Sequence, residues 1–176
     1  MNCTRAFGAM SAVAALAACA QAPHGSTSHA SVPTSARIAR IGQPAPPWTE
    51  SAVPGGSLSS TALAGKAVYL NFFATWCPPC NDEAPALDAL QRQYADRGLQ
   101  VVGVDVLENA GKAAQFRKAH HLTYPAVVDD GTLRNQYAVN GLPVHVFIDR
   151  TGVVRNIVVG QISTADMRAD VLKLLR

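Results

Sequence analysis

The stretch Asn71-Phe72-Phe73-Ala74-Thr75-Trp76-Cys77-Pro78-Pro79-Cys80 joins two kinds of sequence pattern within ten residues. Upstream of the break, Ala67–Ala74 (Ala-Val-Tyr-Leu-Asn-Phe-Phe-Ala) is a near-continuous apolar run suited to a strand buried on both faces. Downstream, Pro78 to Arg97 has helical spacing, with Ala84, Leu87, Leu90 and Tyr94 three or four residues apart on one face. Gly98 is a natural stop. The two cysteines therefore lie where a buried strand turns into a helix.

Working outward, Leu99–Val106 reads as a second buried strand, so strand, helix and strand form a parallel pair with a right-handed crossover. Gly111–His121 has helical character, and Thr123–Val128 forms a short strand around Pro125. Asp129-Asp130-Gly131 turns the chain into a brief helix near Leu133–Tyr137. Val144–Ile148, a turn at Asp149-Arg150-Thr151-Gly152 and Val153–Val159 make a hairpin. Ser163 caps a last helix whose inner face is Met167, Val171, Leu174 and Leu175. On the amino-terminal side, structure begins near Ile41: Gly42 to Trp48 is an extended, proline-stiffened entry, and Pro54-Gly55-Gly56-Ser57 is a turn. The class is α/β, with a central mixed sheet flanked by helices.

At 176 residues the chain suits one domain with an extension. A hydrophobic content of 48% and a charged content of 15% support a packed core and exclude collagenous, coiled-coil and disulfide-dense classes. The net charge of +3 is spread along the chain and leaves no footprint for nucleic acid.

Residues 1–18 carry Arg5 and then an apolar run from Ala6 to Ala18, too short for a hydrocarbon core that needs about 20 residues as a helix. That is the pattern of a secretory signal peptide. Leu16-Ala17-Ala18-Cys19 resembles a bacterial lipobox, which implies cleavage before Cys19 and lipidation of its thiol. Ordinary cleavage after Ala20 is the alternative, since Ala18-Cys19-Ala20 fits a small-x-small site. Several acyl chains give stable anchoring to a membrane where one does not. Residues 19–40, rich in Ser, Thr, Ala and Pro, then form a flexible tether, with His24 and His29 as solvent-exposed fillers.

Of the four cysteines, Cys3 leaves with the signal peptide and Cys19 is taken by lipid, so Cys77 and Cys80 remain. A thiol at a helix N-terminus meets unpaired N–H groups and the positive end of the dipole, which stabilise its thiolate. This makes Cys77 the nucleophile and Cys80, one turn on and more buried, the resolving thiol. Pro78 and Pro79 suit a first helical turn and delete donors that would otherwise reach the thiolate. The expectation is a couple that is not strongly oxidising.

A Cys-x-x-Cys at the strand–helix junction of a βαβ unit is a thioredoxin-like redox signature. Residues 41–176 resemble the TlpA/ResA-like branch of membrane-tethered, periplasm-facing thiol–disulfide oxidoreductases. The resemblance rests on Asn71 to Cys80, Glu83, Pro85, the segment Phe116 to Pro125, and Gly141-Leu142-Pro143-Val144-His145-Val146-Phe147-Ile148-Asp149. It implies a thioredoxin-like fold, with residues 107–140 as the branch's insertion between the second strand and the cis-proline strand. It also implies a cis Pro143 opposite the cysteines, leaving the Leu142 backbone beside Trp76 to receive an incoming chain. No cofactor or metal is implied for a monomer of this kind. The implied partners are disulfide-bearing exported proteins such as apocytochrome c and a membrane electron-donor thiol protein.

Two positions depart from the wider fold family. Asn71 stands where thioredoxin has a buried Asp, and the branch instead places a Glu three residues after the second cysteine, here Glu83. A desolvated Glu83 has a raised pKa and relays the Cys80 proton; an exposed one merely favours the helix dipole. His145 occupies a position where the branch usually has Thr, and is a candidate for tuning a thiolate.

Other readings stay open at this point. The same site runs as an oxidase or isomerase if its potential and partner so dictate. Peroxidase chemistry of the peroxiredoxin type expects Pro and Thr where the chain has Leu70 and Ala74. A Cu(I)-handling protein would use Cys77, Cys80 and His145, whereas zinc finds no second ligand pair.

Overall fold

The computed structural model describes residues 38–176, so the signal peptide at 1–18, lipidation at Cys19 and most of the tether lie outside the described residues. The chain runs β1 (Thr49–Val53), β2 (Ser57–Ser59), β3 (Ala67–Phe73), α1 (Pro78–Tyr94), β4 (Leu99–Asp105) and α2 (Ala110–Ala119). It continues through β5 (Ala126–Val128), α3 (Thr132–Gln136), β6 (Val144–Ile148), β7 (Val154–Val159) and α4 (Thr164–Leu174). No described helix is long and apolar enough to cross a membrane.

All seven residues of β3 are buried because the strand is enclosed on four sides. It pairs in parallel with β4 from Ala67↔Leu99 to Phe73↔Asp105, and antiparallel with β6 from Val68↔Ile148 to Phe72↔Val144. The mixed sheet has the order β2-β1-β5-β4-β3-β6-β7. Strand alternation then sorts the side chains. Tyr69 and Phe73 join Ala84, Leu87, Leu90 and Met167 in a core under α1 and α4. Val68, Leu70 and Phe72 join Trp48, Leu133, Tyr137 and Val146 on the opposite face. Asn71 and its register partner His145 fall on the α1–α4 face, which places two polar side chains in an apolar layer.

The strands and helices around the cysteines follow the sequence reading to within a few residues. The amino-terminal region differs in two ways. Ala39 is already buried, and its N–H donates to the Gln136 carbonyl at 2.8 Å, so packing starts before Ile41. The turn at Pro54–Ser57 joins two strands that the sequence reading leaves out, and β1 pairs antiparallel with both β2 and β5. Five and three residues, with Glu50 and several serines among them, carry too little β-propensity to declare themselves. The inserted stretch 107–140 holds α2, β5 and α3, and thus widens the sheet from its middle.

Among the described glycines, Gly103 on β4 leaves a Cβ the least room. A Cβ there would lie 3.0 Å from Phe73 Cε1. Phe73 cannot withdraw, being buried and stacked on Phe116 with ring centroids 4.4 Å apart. Gly103→Ala gains about 0.4–1 kcal/mol through the unfolded chain, while overpacking costs about 1–3 kcal/mol. The second effect is larger, so the urea midpoint should fall with an unchanged slope; a raised midpoint would contradict this packing.

Candidate active site

Cys77 is the N-cap of α1, with Pro78 and Pro79 in the first turn. Since neither proline has an N–H, the first backbone donor to reach Cys77 Sγ is that of Cys80, at 3.3 Å. The two sulfurs form a disulfide, with Cα atoms 5.3 Å apart. The expected difference in burial is absent: Cys77 is 3% exposed and Cys80 2%. What separates them is access. A groove of about 670 Å³ is lined by Trp76, Cys77, Pro78, Leu107, Arg134 and Leu142 among others, but not by Cys80. Trp76 stands open to solvent at its edge, and the Leu142–Pro143 peptide is cis, as the resemblance implies.

The loop before the cysteines is pinned from both sides. Thr75 donates its N–H and its hydroxyl to the Glu108 carboxylate, the latter at 2.6 Å. Asn81 Nδ2 donates to the carbonyls of Thr75 and Cys77 at 3.1 and 2.8 Å, and its Oδ1 lies 3.0 Å from His120 Nε2. Nearby Asp105 is fully buried, and burial together with Glu108 pushes its carboxyl up to about 8. Sequence reasoning passes over Glu108 because the loop residue that it holds is 33 positions away.

Beneath the pair lies a second polar group. Glu83, one turn beyond Cys80 on α1, is only 4% exposed, which excludes the solvent-facing alternative. Its Oε1 accepts from the Ile162 N–H at 2.7 Å. Burial pushes its carboxyl up to about 7, against the pull of that bond and with help from Asp82. Its Oε2 faces His145 Nε2 at 3.4 Å. On the other side of the ring, His145 Nδ1 lies 2.9 Å from Tyr69 Oη and 3.3 Å from Asn71 Nδ2. Burial holds the imidazole down at about 4, against a hydrogen bond from the ring to the Gly160 carbonyl that pulls it up. Asn71, Glu83 and His145 thus meet in one cluster. Tyr69, read in the sequence only as an apolar strand residue, is its fourth member, and its even spacing from Asn71 on one strand is the signal for it.

Among the described residues, Cys77, Cys80 and His145 do not gather as a three-ligand metal set. The set that does gather is Glu50, Asp129 and Asp130. There Asp129 Oδ1 accepts from the Leu133 and Arg134 N–H groups and Asp130 Oδ1 from that of Thr132, so these side chains organise the turn into α3.

Residues 41–157 match the model of the AhpC/TSA family. The chain belongs to this family. Its relatives include thiol-disulfide oxidoreductase ResA of Geobacillus thermodenitrificans, 32% identical over 82% of this chain and 83% of that protein. Thioredoxin-like protein YneN of Bacillus subtilis is 36% identical over 72% and 75%. Among solved structures, a thiol:disulfide interchange protein of the thioredoxin family from Chlorobium tepidum superposes with a TM-score of 0.72 at 35% identity, covering 78% of this chain and 99% of that one. The fold is thioredoxin-like, and the protein is a thiol–disulfide oxidoreductase of the ResA type.

For this family member, the buried Glu83 sets a pH-dependent cost. Its folded pKa of about 7 exceeds the ordinary 4.5, so between those values the folded state keeps a proton that the unfolded state loses. Stability contributed by the protonated group is full below 4.5 and lost as pH rises through 7. His145 acts oppositely, adding stability as pH rises from about 4 to 6.5. Glu83→Gln removes only the first effect. Urea unfolding of the oxidised variant should match the parent at pH 4.5 and exceed it by about 2–3 kcal/mol at pH 8; an equal difference at both values would place Glu83 in contact with water.

Proposed function

We propose that this protein is an extracytoplasmic dithiol reductase, held to a membrane by lipid on Cys19, that reduces disulfides in exported proteins. Cys77 and Cys80 are its redox pair. The observation that carries this reading is the placement of Cys77 Sγ, which caps α1, accepts the Cys80 N–H and borders the groove. Clients such as apocytochrome c follow from the resemblance of residues 71–85 and 141–149 to the TlpA/ResA-like branch.

In the reduced protein, the Cys77 thiolate attacks one sulfur of a client disulfide, forming a mixed disulfide and releasing a client thiolate that takes a proton from water. The Cys80 thiol then passes its proton to Glu83 and attacks Cys77 Sγ. The Cys77–Cys80 bond forms, the client leaves as its second thiolate, and Glu83 hands that thiolate its proton. Two electrons have moved to the client, with one proton from water and one from Cys80 by way of Glu83. A membrane dithiol donor restores the pair by the reverse exchange. Trp76 and the Leu142 backbone flank the path of the incoming chain, where Leu142 offers strand-like pairing.

Cys80→Ser should trap clients covalently in the periplasmic fraction, as adducts released by dithiothreitol and absent when Cys77 is also replaced. Recovery of no adduct would count against the reading. A reduction potential near about −270 mV supports the reductase direction, whereas one near about −120 mV turns the same site into an oxidase. Cys19→Ala should move the protein from the membrane to the soluble fraction; an unchanged distribution removes the lipid anchor.

A further inference from the structure

The cluster under the disulfide contains a side chain for which electron exchange alone has no use. His145 is fully buried, and its Nε2 is turned toward Glu83 Oε2 at 3.4 Å. Both atoms are shielded from water, and neither has a hydrogen-bond partner. Two buried polar atoms without other partners would each be costly if left unpaired. The 3.4 Å approach brings each within reach of the other.

The opposite edge of the ring decides which nitrogen carries the hydrogen. Asn71 Nδ2 has only hydrogens to offer, and it points at Nδ1 from 3.3 Å. Tyr69 Oη, 2.9 Å away, has a hydrogen to give the same atom. Nδ1 is therefore the acceptor, and a neutral imidazole must hold its hydrogen on Nε2. An imidazolium would set an Nδ1–H against the hydrogens of Asn71, so the pocket opposes charging as well as burying the ring. The ring's remaining hydrogen then has the Gly160 carbonyl and Glu83 Oε2 as acceptors, the latter 3.4 Å from Nε2.

We propose that His145 is the positioning residue of Glu83: its Nε2–H steadies the carboxylate form at Oε2, keeping a buried acid able to accept the Cys80 proton, while Asn71 and Tyr69 hold the tautomer. The proposal rests on the reading of Glu83 as that acceptor. The step is Cys80–SH plus Glu83–COO⁻ giving Cys80–S⁻ plus Glu83–COOH, with the proton returned to the departing client thiolate or to water. The Ile162 N–H steadies Oε1 alone. Burial, Asp82 and the Ile162 N–H leave the carboxyl at about 7, and a donor at Oε2 lowers it further toward the form that acts as a base at neutral pH. Asn71 and His145, the two departures from the family pattern, then belong to one device.

The other groups that face the pair are few. They are Tyr69 on β3, with Glu83, Tyr124 and Asp170 bearing on its hydroxyl, and Asp82 beside Glu83 on α1. Asp170 of α4 is itself paired with Lys173. From β7 and its exit come only Val158, opposite His145, and the Gly160 backbone.

Two measurements test the proposal. In the unaltered protein, ring ¹⁵N shifts of His145 should report a neutral Nε2–H tautomer from pH 5.5 to 8; an Nδ1–H tautomer or an imidazolium at pH 6 would overturn it. Next, the Glu83 carboxyl carbon is titrated by ¹³C NMR in the oxidised protein. His145→Leu should raise the Glu83 midpoint by about one pH unit, and His145→Gln, which keeps a donor, should restore part of the difference. An unmoved midpoint in folded His145→Leu overturns the role of His145, and the ring-nitrogen measurement stands if that variant does not fold. Failure of the underlying reading shows elsewhere: a Glu83→Gln protein whose Cys80 closes on Cys77 with an unchanged pH profile overturns Glu83 as the base.

Discussion

A strand paired on both edges and covered on both faces leaves a polar side chain no route to water, and β3 is such a strand. Its backbone groups are satisfied by β4 and β6, but Tyr69 and Asn71 bring a hydroxyl and an amide into the apolar layer under α1. Buried groups of this kind must find partners inside the protein. They find them in His145, which the antiparallel register with β6 puts directly opposite Asn71. On the outer side of His145, α1 brings Glu83 Oε2 to 3.4 Å from Nε2. Sheet register thus leads from β3 through His145 to Glu83, three residues beyond Cys80.

The same strand delivers the cysteines. Its last residues run into Ala74 and Thr75, where Glu108 and Asn81 fix the loop, and α1 starts at once with Cys77 as cap. The two prolines remove the donors that would crowd Sγ, and leave the Cys80 N–H and the helix dipole as the stabilising influences on a thiolate. A moderate influence is what a reductase requires, because a thiolate stabilised too strongly makes its disulfide an oxidant. The inserted α3 segment and the loop before Pro143 close the other side of the groove, so access to Cys77 depends on the same insertion that widens the sheet.

How far this was legible in the sequence depends on distance along the chain. The buried strand, the helix stop at Gly98 and the cysteine pair are local patterns, and all three stand where the sequence places them. Pro143 and Glu83 were legible through resemblance, which supplied their place but not their surroundings. Tyr69–His145 and Thr75–Glu108 join residues 76 and 33 positions apart; strand alternation puts Tyr69 on the face of Asn71 but names neither distant partner. The expected contrast in burial between Cys77 and Cys80 treated depth as a property of helical position. In the disulfide both sulfurs are enclosed, and it is the groove wall, built from residues 134–142, that tells them apart.

Burying Glu83 weakens the fold above neutral pH, yet the chain retains a carboxyl there rather than a leucine that would pack more favourably. An acid at this depth is useful only if its affinity for a proton lies close to that of its surroundings at working pH, since a base that never deprotonates cannot accept and one that never protonates cannot return the proton. Burial alone raises the carboxyl, and the Ile162 N–H alone lowers it too little to offset the rise. A neutral donor is better suited than a cation to supply the remaining correction. A lysine or arginine beneath the pair would fix Glu83 as a permanent carboxylate, whereas an imidazole held neutral by Asn71 adds a bond without adding a charge. In the proposed relay, the polar residues on the inner face of β3 and β6 serve the proton, while the apolar ones around them serve the fold.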